Sequence, residues 1–577
     1  MSRFPRFPNR VVQCLDGMWD FTFLGTDIAL GRSYAELVPN KLQDRPTDNP
    51  SEKTSGRAAV PGCFDTIPSH AGVRGTAVYT LTVSIAPGRQ ALLRFGGVGL
   101  WVRVYVDGET LFEGSYPYSP LAVEVPASDS ERRTLAVLID NRFDAERVPL
   151  FEPFFDFYAY GGIYRSVELH ELPDKYIDRL EVTPIDVYAG RICVAAFLGR
   201  TTAESVPGTV TFDDGSRSNV TFTRSDGAYV AEAEVPEPRP WSPEDPQLHR
   251  LRVEIGEDSI EERFGLRTVE ATGGHVLVNG RAVKLLGVCR HEAHPQFGPA
   301  LPLQQLVQDL DLIRGLGCNF VRGVHYPQDQ RFLELCDEQG ILVFEETLGW
   351  GQRESRFFAS RQFYDGQVLQ MRRMIAASYN HPSVISWGFL NEGGSNEEFA
   401  VPLYRELIGL AKSLDGSRPV TYASMFPFDD LLFEEADIIS VNQYPAWYSG
   451  DGTRPLETIP ERLERMTAHL AASGLSDKPV VVSEIGAGAI YGWRDSHHSR
   501  WSEEYQRDHL SVVCREILSR SAYAGVSLWQ FCDCRTYDDA NAIKRPRAFN
   551  NKGLFDEYRR PKLAADAVGE IFRGRVD

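Results

Sequence analysis

Apolar and polar residues alternate along much of the first third of the chain. In "AVYTLTVSIA" (77–86), every second residue from Tyr79 to Ile85 is apolar, with threonine and serine between them. A β-strand places successive side chains on opposite faces, so this period indicates a strand buried on one face. A second alternating run, "LWVRVYVDGETLFEG" (100–114), contains Asp107–Gly108, a dipeptide typical of tight hairpins. The first third is therefore predicted to be a β-sheet domain.

A second block of short strands continues the same pattern from about residue 176. Its apolar runs lie at 191–199, 208–216, 228–235 and 248–255. The proline-rich stretch "PEPRPWSPEDP" (236–246) is predicted to be a long loop within it. Short strands at this spacing, with Asp-Gly turns between them, favour two successive β-sandwiches.

The pattern changes after about residue 268 to strands that alternate with amphipathic helices. One helix face carries Leu303, Leu306, Leu310 and Ile313, and Gly317 is predicted to end this helix. A second carries Leu403, Leu407, Leu410 and Leu414 and is closed by Gly416. Predicted strands lie at 284–290, 318–325, 341–347, 384–392, 418–424, 437–444, 479–486 and 525–533. Eight strands separated by helices over some 300 residues predict a (β/α)8 barrel.

Polar residues cluster where these predicted barrel strands end. The carboxyl ends of barrel strands form the open face on which such enzymes carry their chemistry. The residues found there are His291, His325, Glu345, Glu346, Asn391, Glu392, Tyr444, Glu484 and Trp529.

Glu392 and Glu484 are the pair with the clearest chemical meaning. Both follow strongly apolar runs, and the fourth and seventh strands stand across the barrel mouth from one another. Hydrolysis of a glycosidic bond with retention needs two carboxyl groups about 5–5.5 Å apart. One attacks the anomeric carbon and the other protonates the leaving oxygen. A strand-end glutamate can also be a structural ion-pair partner, although two of them make that explanation weaker.

Composition narrows the classes of protein further. The formal net charge of −19 and the absence of a basic stripe argue against nucleic-acid binding. Nine cysteines without CxxC spacing indicate reduced thiols and no zinc site. The start of the chain has no apolar signal region and no stretch of eighteen apolar residues occurs, so no membrane association and a cytoplasmic location are expected. No metal and no cofactor are predicted, since the strand-end histidines lack ligand spacing.

Several long motifs resemble glycoside hydrolase family 2, which includes β-galactosidases, β-mannosidases and β-glucuronidases. They are "YAYGGIYRSVEL", "GVCRHEAHP", "VRGVHYPQDQRFLELCDEQGILVFEE", "NHPSVISWGFLNEGG" and "KPVVVSEIGAG". The resemblance covers essentially the whole chain. It implies a jelly-roll sugar-binding domain (1–175), an immunoglobulin-like β-sandwich (176–268) and a catalytic (β/α)8 TIM barrel (269–577). Relatives are often dimers or tetramers, so a homo-oligomer is expected.

The same resemblance implies roles for individual residues. Glu392 would be the acid/base and Glu484 the nucleophile. Asn391 would hydrogen-bond the sugar 2-hydroxyl, and Tyr444 would orient the nucleophile. A fixed anion beneath an oxocarbenium-like transition state is the electrostatic arrangement that this reaction needs.

Three further residues match positions of the family's sugar pocket. Asp156 matches an aspartate that reaches into the active site from the first domain. His325 and Trp529 match residues that line the pocket. From the residues alone, His325 could equally be a structural histidine and Trp529 barrel packing.

The stretch "RAFNNKGLF" (547–555) bears on which sugar is bound. Asn550-x-Lys552 resembles the motif by which β-glucuronidases hold the substrate carboxylate, and Tyr448 matches another pocket residue of that group. A charge-assisted hydrogen bond suits this task. The preceding Lys544, Arg545 and Arg547 could be solvated or could touch an acidic glycan.

These observations predict a retaining exo-β-glucuronidase acting on a small conjugate or a glycan. A β-galacturonidase, which would differ only at C4 of the sugar, and a neutral-sugar β-galactosidase remain open. A non-catalytic sugar-binding protein is a further alternative, although such a module has no need for two convergent acids.

Overall fold

The computed structural model describes residues 4–38, 54–144, 147–148, 156–448, 455–537 and 545–574. In the first part of the chain, two antiparallel sheets face each other across a core that contains Tyr79, Val102, Leu93 and Leu169. In spatial order, the strands of the six-stranded sheet are Thr54–Val60, Gly17–Gly25, Thr76–Ser84, Arg132–Asp140, Trp101–Val106 and Glu109–Ser115. Those of the four-stranded sheet are Val12–Cys14, Val167–Leu172, Gln90–Phe95 and Leu121–Val125. A small third sheet contains Gly62–Cys63, Gly162–Ile163 and Val98–Gly99. The predicted hairpin at Asp107–Gly108 joins two neighbouring strands.

The second block forms an antiparallel sheet of seven strands around its own apolar core. In spatial order, the strands are Tyr176–Asp186, Arg191–Gly199, Ala228–Glu234, Arg217–Ser225, Ser205–Phe212, His249–Ile255 and Asp258–Phe264. The proline-rich loop at 236–246 docks this block onto the barrel. Its Trp241 is fully buried and donates its indole N–H to the carbonyl oxygen of Asp337 at 2.9 Å.

The last part of the chain is the barrel, preceded by a small antiparallel sheet. That sheet contains Val269–Thr272, His275–Val278 and Arg281–Val283. The eight parallel barrel strands are Leu285–Arg290, Phe320–Gly323, Leu342–Glu346, Val384–Gly388, Ala423–Ser424, Ile439–Asn442, Val480–Ile485 and Gly525–Leu528. The first strand pairs with the eighth, and a parallel bridge between Trp387 and Val420 closes the ring. The predicted fold class, a β-rich first part followed by a TIM barrel, is confirmed.

Helices surround the barrel and bury the apolar faces read from the sequence. They are Leu303–Gly315, Gln330–Gln339, Ser355–Ala359, Arg361–Ser378, Val401–Leu414, Ile459–Ala472, Glu503–Ser519 and Leu563–Arg573, with 3-10 turns at Pro455–Thr458 and Pro546–Ala548 and short strands at Cys534–Arg535 and Phe549–Asn550. The first part of the chain contains the short helix Tyr34–Leu37 and 3-10 turns at Phe64–Thr66 and Pro68–His70. Leu303 was expected on a buried face but is 54% exposed, because it is the first residue of the helix Leu303–Gly315. Gly317 has φ of +78°, the left-handed conformation that ends that helix.

Several strands end earlier than the sequence predicted. The fourth barrel strand stops at Gly388, so Asn391 and Glu392 lie in the turn beyond it. Leu390 and Glu392 have φ of +44° and +50°, left-handed values that an extended strand cannot contain. Trp529 likewise follows the eighth strand and does not lie in it. The predicted strand 418–424 is reduced to two residues.

Two further features concern the chain as a whole. All nine cysteines are free thiols, and seven of them are buried. Within the described residues, no helix combines the length and apolarity that a membrane crossing requires.

Candidate active site

A buried arginine connects the polar residues at the barrel mouth. Arg322 extends from the second barrel strand and is fully buried. Its guanidinium donates hydrogen bonds of 2.8 Å to Glu484 Oε1, Glu346 Oε2 and Asn391 Oδ1. A buried charge is tolerated when it is paired and hydrogen-bonded, and several partners at once fix its orientation. Arg322, on the second strand, therefore holds side chains from the third and seventh strands and from the turn after the fourth in one rigid arrangement.

Glu484 receives two strong hydrogen-bond donors. Its Oε1 accepts from Arg322, and its Oε2 accepts from the Tyr444 hydroxyl at 2.7 Å. The side chain lies in the seventh barrel strand and is almost wholly buried. Burial raises the pKa of the Glu484 carboxyl above its usual range, and Arg322 opposes this rise. Both donors favour the ionised form of this carboxylate.

Glu392 has a less polar set of partners. Asn442 Nδ2 donates to Glu392 Oε1 and to Asn391 Oδ1, each at 3.0 Å. Burial raises the pKa of Glu392 above its usual range. Because Glu392 accepts from a neutral amide whereas Glu484 accepts from a guanidinium and a phenol, a proton shared by the two acids is favoured on Glu392.

Aromatic rings and histidines form the adjoining wall. His325 stacks on Trp529, with ring centroids 5.2 Å apart and planes 17° from parallel, and His291 lies 5.3 Å from His325. His325 Nδ1 lies 2.7 Å from Glu346 Oε1. Burial lowers the pKa of both histidines well below the usual range, so both rings are neutral.

Four buried polar atoms in this region have no hydrogen-bond partner among the described residues. They are Asn391 Nδ2, His291 Nε2, His325 Nε2 and Trp529 Nε1. Since buried polar groups are nearly always satisfied, such a group of unpaired atoms on one wall indicates a polar ligand. Several hydroxyl groups on one small molecule would satisfy them.

The segment after the eighth strand supplies a buried cation. Lys552 is 1% exposed, and its Nζ lies 5.0 Å from the ring centroid of Tyr448, 5.7 Å from Tyr444 and 5.9 Å from Trp447. No carboxylate in the described part of the chain pairs with it. Asn550 is fully buried, and both polar atoms of its side-chain amide lack a described partner. A buried ammonium with no described carboxylate partner, two residues from an unsatisfied buried amide, favours an anionic ligand.

Asp156 reaches this site from the first part of the chain. It accepts from Arg545 Nε at 2.6 Å and from Arg545 Nη2 at 2.5 Å, which is a bidentate pair. Burial disfavours ionisation of Asp156, but Arg545 and then Lys552 outweigh burial and lower the pKa. Arg545 Nη2 also donates to the Tyr448 hydroxyl at 3.2 Å, and the Tyr448 side chain is 58% exposed. The pair therefore connects the first part of the chain to the barrel rim.

The other basic residues of that segment have different surroundings. Arg547 pairs with Glu557 at 2.8 Å and is half exposed, so it is a surface residue. Lys544 lies outside the described residues.

The structure brings the sequence-predicted residues together in two connected groups. Glu392, Asn391, Glu484 and Tyr444 share one hydrogen-bond network, and His325 with Trp529 forms its wall. Lys552 contacts Tyr444 and Tyr448, and Asp156 joins Tyr448 through Arg545. Asn550 lies two residues from Lys552. In the described ranges, no three His, Cys, Asp or Glu side chains are grouped so that they could hold a metal ion.

Sequence reasoning missed two residues that organise this site. Arg322 and Asn442 carry the network between the two glutamates. A signal for Arg322 was present, because a charged residue inside the apolar strand "NFVRGV" must find buried partners. Asn442 had no such signal, since an asparagine at a strand end is common in loops.

Two family models and many known proteins match the chain. The model "Glycosyl hydrolases family 2, TIM barrel domain" matches residues 269–574, and "Glycosyl hydrolases family 2" matches 175–267. A β-glucuronidase of Mus musculus is 28% identical in an alignment 630 residues long, gaps included, which covers 99% of this chain and 92% of the relative.

Solved structures agree with these matches over nearly the full length. A family 2 β-galacturonidase from Eisenbergiella tayi, bound to galacturonate, is 34% identical with a TM-score of 0.87 and 99% coverage of both chains. A β-glucuronidase from Faecalibacterium prausnitzii is 26% identical with a TM-score of 0.85 and 98% coverage of both chains.

Proposed function

The chain belongs to glycosyl hydrolases family 2, and from that premise we propose that it is a retaining exo-β-glucuronidase, which removes terminal β-D-glucuronic acid from conjugates or glycans. The observation that favours a uronic acid is the buried ammonium of Lys552, which pairs with no carboxylate of the described residues, together with the unsatisfied buried amide of Asn550 two residues earlier. A neutral sugar would leave that charge uncompensated, whereas the carboxylate of a uronic acid pairs with it. The β-glucuronidases among the relatives support the same choice.

In the first step, the Glu484 carboxylate attacks the anomeric carbon while Glu392 gives its proton to the glycosidic oxygen. The bond to the leaving group breaks, and a covalent glycosyl–enzyme ester forms. Arg322 and Tyr444 hold the attacking oxygens in place. In the second step, Glu392 removes a proton from water, which attacks the same carbon and releases the sugar with its original configuration.

The unpaired atoms of the pocket would bind the sugar hydroxyl groups. Asn391 Nδ2, which is held in place through its own Oδ1 by Arg322 and Asn442, would donate to the 2-hydroxyl. His325 and Trp529 would line the ring, and Asp156 would accept from a hydroxyl at the far side. Tyr448 would border the carboxylate together with Lys552.

The test is a panel of p-nitrophenyl β-glycosides that carry glucuronic acid, galacturonic acid, glucose and galactose. The glucuronide is expected to have the highest kcat/KM. NMR during turnover is expected to show the β-anomer of the released sugar as the first product. A preference for glucose or galactose, or an α-anomer as first product, would overturn the proposal.

A β-galacturonidase is the second candidate, and the Eisenbergiella tayi enzyme favours it because its identity of 34% exceeds that of the β-glucuronidases compared above. Lys552 and Asn550 would hold the carboxylate that both uronic acids share. The two sugars differ only at C4, so the galacturonide arm of the panel separates them. The higher kcat/KM of the two identifies the sugar.

The pH profile provides a further expected result. Burial raises the pKa of Glu392, so this acid keeps its proton above its usual range, and kcat/KM falls as rising pH removes it. The Glu392→Gln variant has no carboxyl proton to lose, so the fall of kcat/KM at alkaline pH should disappear. Its kcat/KM for an alkyl glucuronide should drop by about 100- to 10,000-fold, because general acid catalysis contributes that much.

The control for this variant is a 2,4-dinitrophenyl glucuronide, whose phenolate leaves without a proton. The first step with this substrate should be nearly unaffected in Glu392→Gln, as measured by the burst of dinitrophenolate. An alkaline limb that persists in the variant would show that the proton belongs to another group.

We further propose the domain limits 1–175, 176–268 and 269–577, and assembly of the chain into a dimer or tetramer. The separate sheets and cores of the three segments support these limits. Light scattering on the eluted protein tests the assembly, and a monomer mass near 64.8 kDa would contradict it.

A further inference from the structure

The loop that follows the third barrel strand is fixed beside Glu392. Asn391 N–H donates to the carbonyl oxygen of Gly349 at 3.2 Å, and Gly351 N–H donates to that of Asn391 at 2.9 Å. One step further, Gly394 N–H donates to the carbonyl oxygen of Gln352 at 2.9 Å. The bonded residues of the turn, Asn391 and Gly394, lie before and after Glu392 in the sequence. Residues 349–354, here called the leaving-group loop, are therefore held against the turn that carries the acid/base.

Arg353 is an exposed cation in this loop. No residue in the described part of the chain forms a hydrogen bond or ion pair with it. The adjacent Glu354 is occupied, because it accepts from Arg356 Nε at 2.9 Å. An arginine without a partner is notable on a chain with a net charge of −19, where carboxylates outnumber cations.

The field of Arg353 reaches the acid/base. It lowers the pKa of Glu392, against the larger effect of burial. This influence agrees with the backbone hydrogen bonds that hold the leaving-group loop next to the turn that carries Glu392.

An aromatic pair borders the same turn. Phe358 and Phe399 have ring centroids 5.4 Å apart, and Phe399 is 37% exposed. A methyl group placed on Gly394 would lie 3.5 Å from Phe399 and 3.6 Å from Phe358. Both rings thus lie against Gly394, which is two residues from Glu392 along the chain, and they offer an apolar surface there to a ring-shaped group.

Glu392 must reach the glycosidic oxygen, so the leaving group has to occupy the space beside Glu392. We propose that Arg353 binds a carboxylate or sulfate on that leaving group, and that the enzyme prefers substrates in which the terminal uronic acid is attached to an acidic sugar or acidic phenol. The inference rests on the proposed function, since it assigns the leaving-group side of the same site. Phe358 and Phe399 would contact the ring that carries the anion.

The experiment compares 4-methylumbelliferyl and 3-carboxyumbelliferyl β-glucuronide. The measured quantity is the ratio of kcat/KM for the carboxylated substrate to that for the neutral one. Differences in leaving-group chemistry cancel when this ratio is compared between the parent enzyme and its variants. Arg353→Gln is expected to lower the ratio about three- to fivefold, as is usual for an exposed ion pair, and Arg353→Glu should lower it further. A sulfonated analogue shows which of the two anions is preferred.

Arg356→Gln is the matched control, because Arg356 is an exposed arginine three residues away that pairs with Glu354. It changes the net charge by the same amount and should leave the ratio unchanged. In the parent enzyme, raising NaCl from about 0.05 to 0.5 M should lower the ratio, since salt screens exposed charges.

The two proposals fail in different ways. A ratio that stays within twofold in both Arg353 variants and does not respond to salt, while both substrates turn over normally, would overturn the role of Arg353 alone. Absence of turnover of every uronide by the parent enzyme would overturn the proposed function and this inference with it.

Discussion

Glu484→Ala is expected to lower kcat on p-nitrophenyl β-glucuronide by about four orders of magnitude or more. The variant has no group that can form the covalent intermediate, and removal of an essential nucleophile typically costs this much. Sodium azide should restore turnover, because its small anion fits the space left by the carboxylate. Azide attacks once from the nucleophile's side, so the product should be the α-glycosyl azide, identified by NMR.

Glu345→Gln is the matched control for Glu484→Ala. Glu345 is another fully buried glutamate at a barrel strand end, but its Oε1 accepts from the backbone N–H of Gln328, and its described side chain forms no hydrogen bond or ion pair with Arg322 or Glu484. Burial raises its pKa to about 7, so the neutral glutamine is a close substitute. We expect kcat/KM to stay within about threefold of the parent value. Ordinary turnover in Glu484→Ala would refute the nucleophile assignment.

Lys552→Ala should reduce kcat/KM for the glucuronide by about 100-fold, the upper part of the range for loss of a charge-assisted hydrogen bond. The loss should be large because Lys552 is buried and pairs with no described carboxylate, so the substrate carboxylate loses its main partner. The matching p-nitrophenyl glucoside has no carboxylate, and its kcat/KM should change by less than about threefold. The measurement is the ratio of the two kcat/KM values in parent and variant.

Arg547→Gln controls for a general change of charge in the same segment. Arg547 pairs with Glu557 and is half exposed, so the glucuronide-to-glucoside ratio should stay at its parent value. Lys552→Met keeps most of the side-chain volume and should show the same selective loss as alanine. Equal losses of kcat/KM on both sugars in either Lys552 variant would show that Lys552 stabilises the pocket but does not bind the substrate carboxylate.

Both expected results depend on charges that the protein has removed from water. Arg322 holds Glu346, Glu484 and Asn391 through charge-assisted bonds, whereas the Lys552 ammonium lies against aromatic rings and pairs with no carboxylate in the described part of the chain. The first cation is compensated by the protein itself. Under the proposed function, the second is compensated when the substrate carboxylate binds, and this difference would separate the catalytic side of the pocket from the side that selects the sugar.

Much of the fold follows from local patterns in the sequence. The strand Arg191–Gly199 coincides with its predicted bounds, and the barrel follows from the alternation of apolar runs with helical faces. Predicted ends were less accurate. The fourth strand was expected to reach residue 392 but stops at Gly388, because Leu390 and Glu392 adopt left-handed backbone conformations that the apolar pattern does not reveal.

By itself, the sequence determined the order of elements, the family and the two strand-end glutamates, because hydrophobic period and long motifs are local properties of the chain. Only the tertiary structure decided which side chains meet. Arg322 joins Glu484 to Asn391, and Arg545 joins Asp156 to Tyr448, across separations of up to 389 residues. It also left Lys552 and Arg353 without carboxylate partners in the described part of the chain. Pairing of charges depends on distance in space and on exclusion of water, and neither quantity is encoded in any short stretch of sequence.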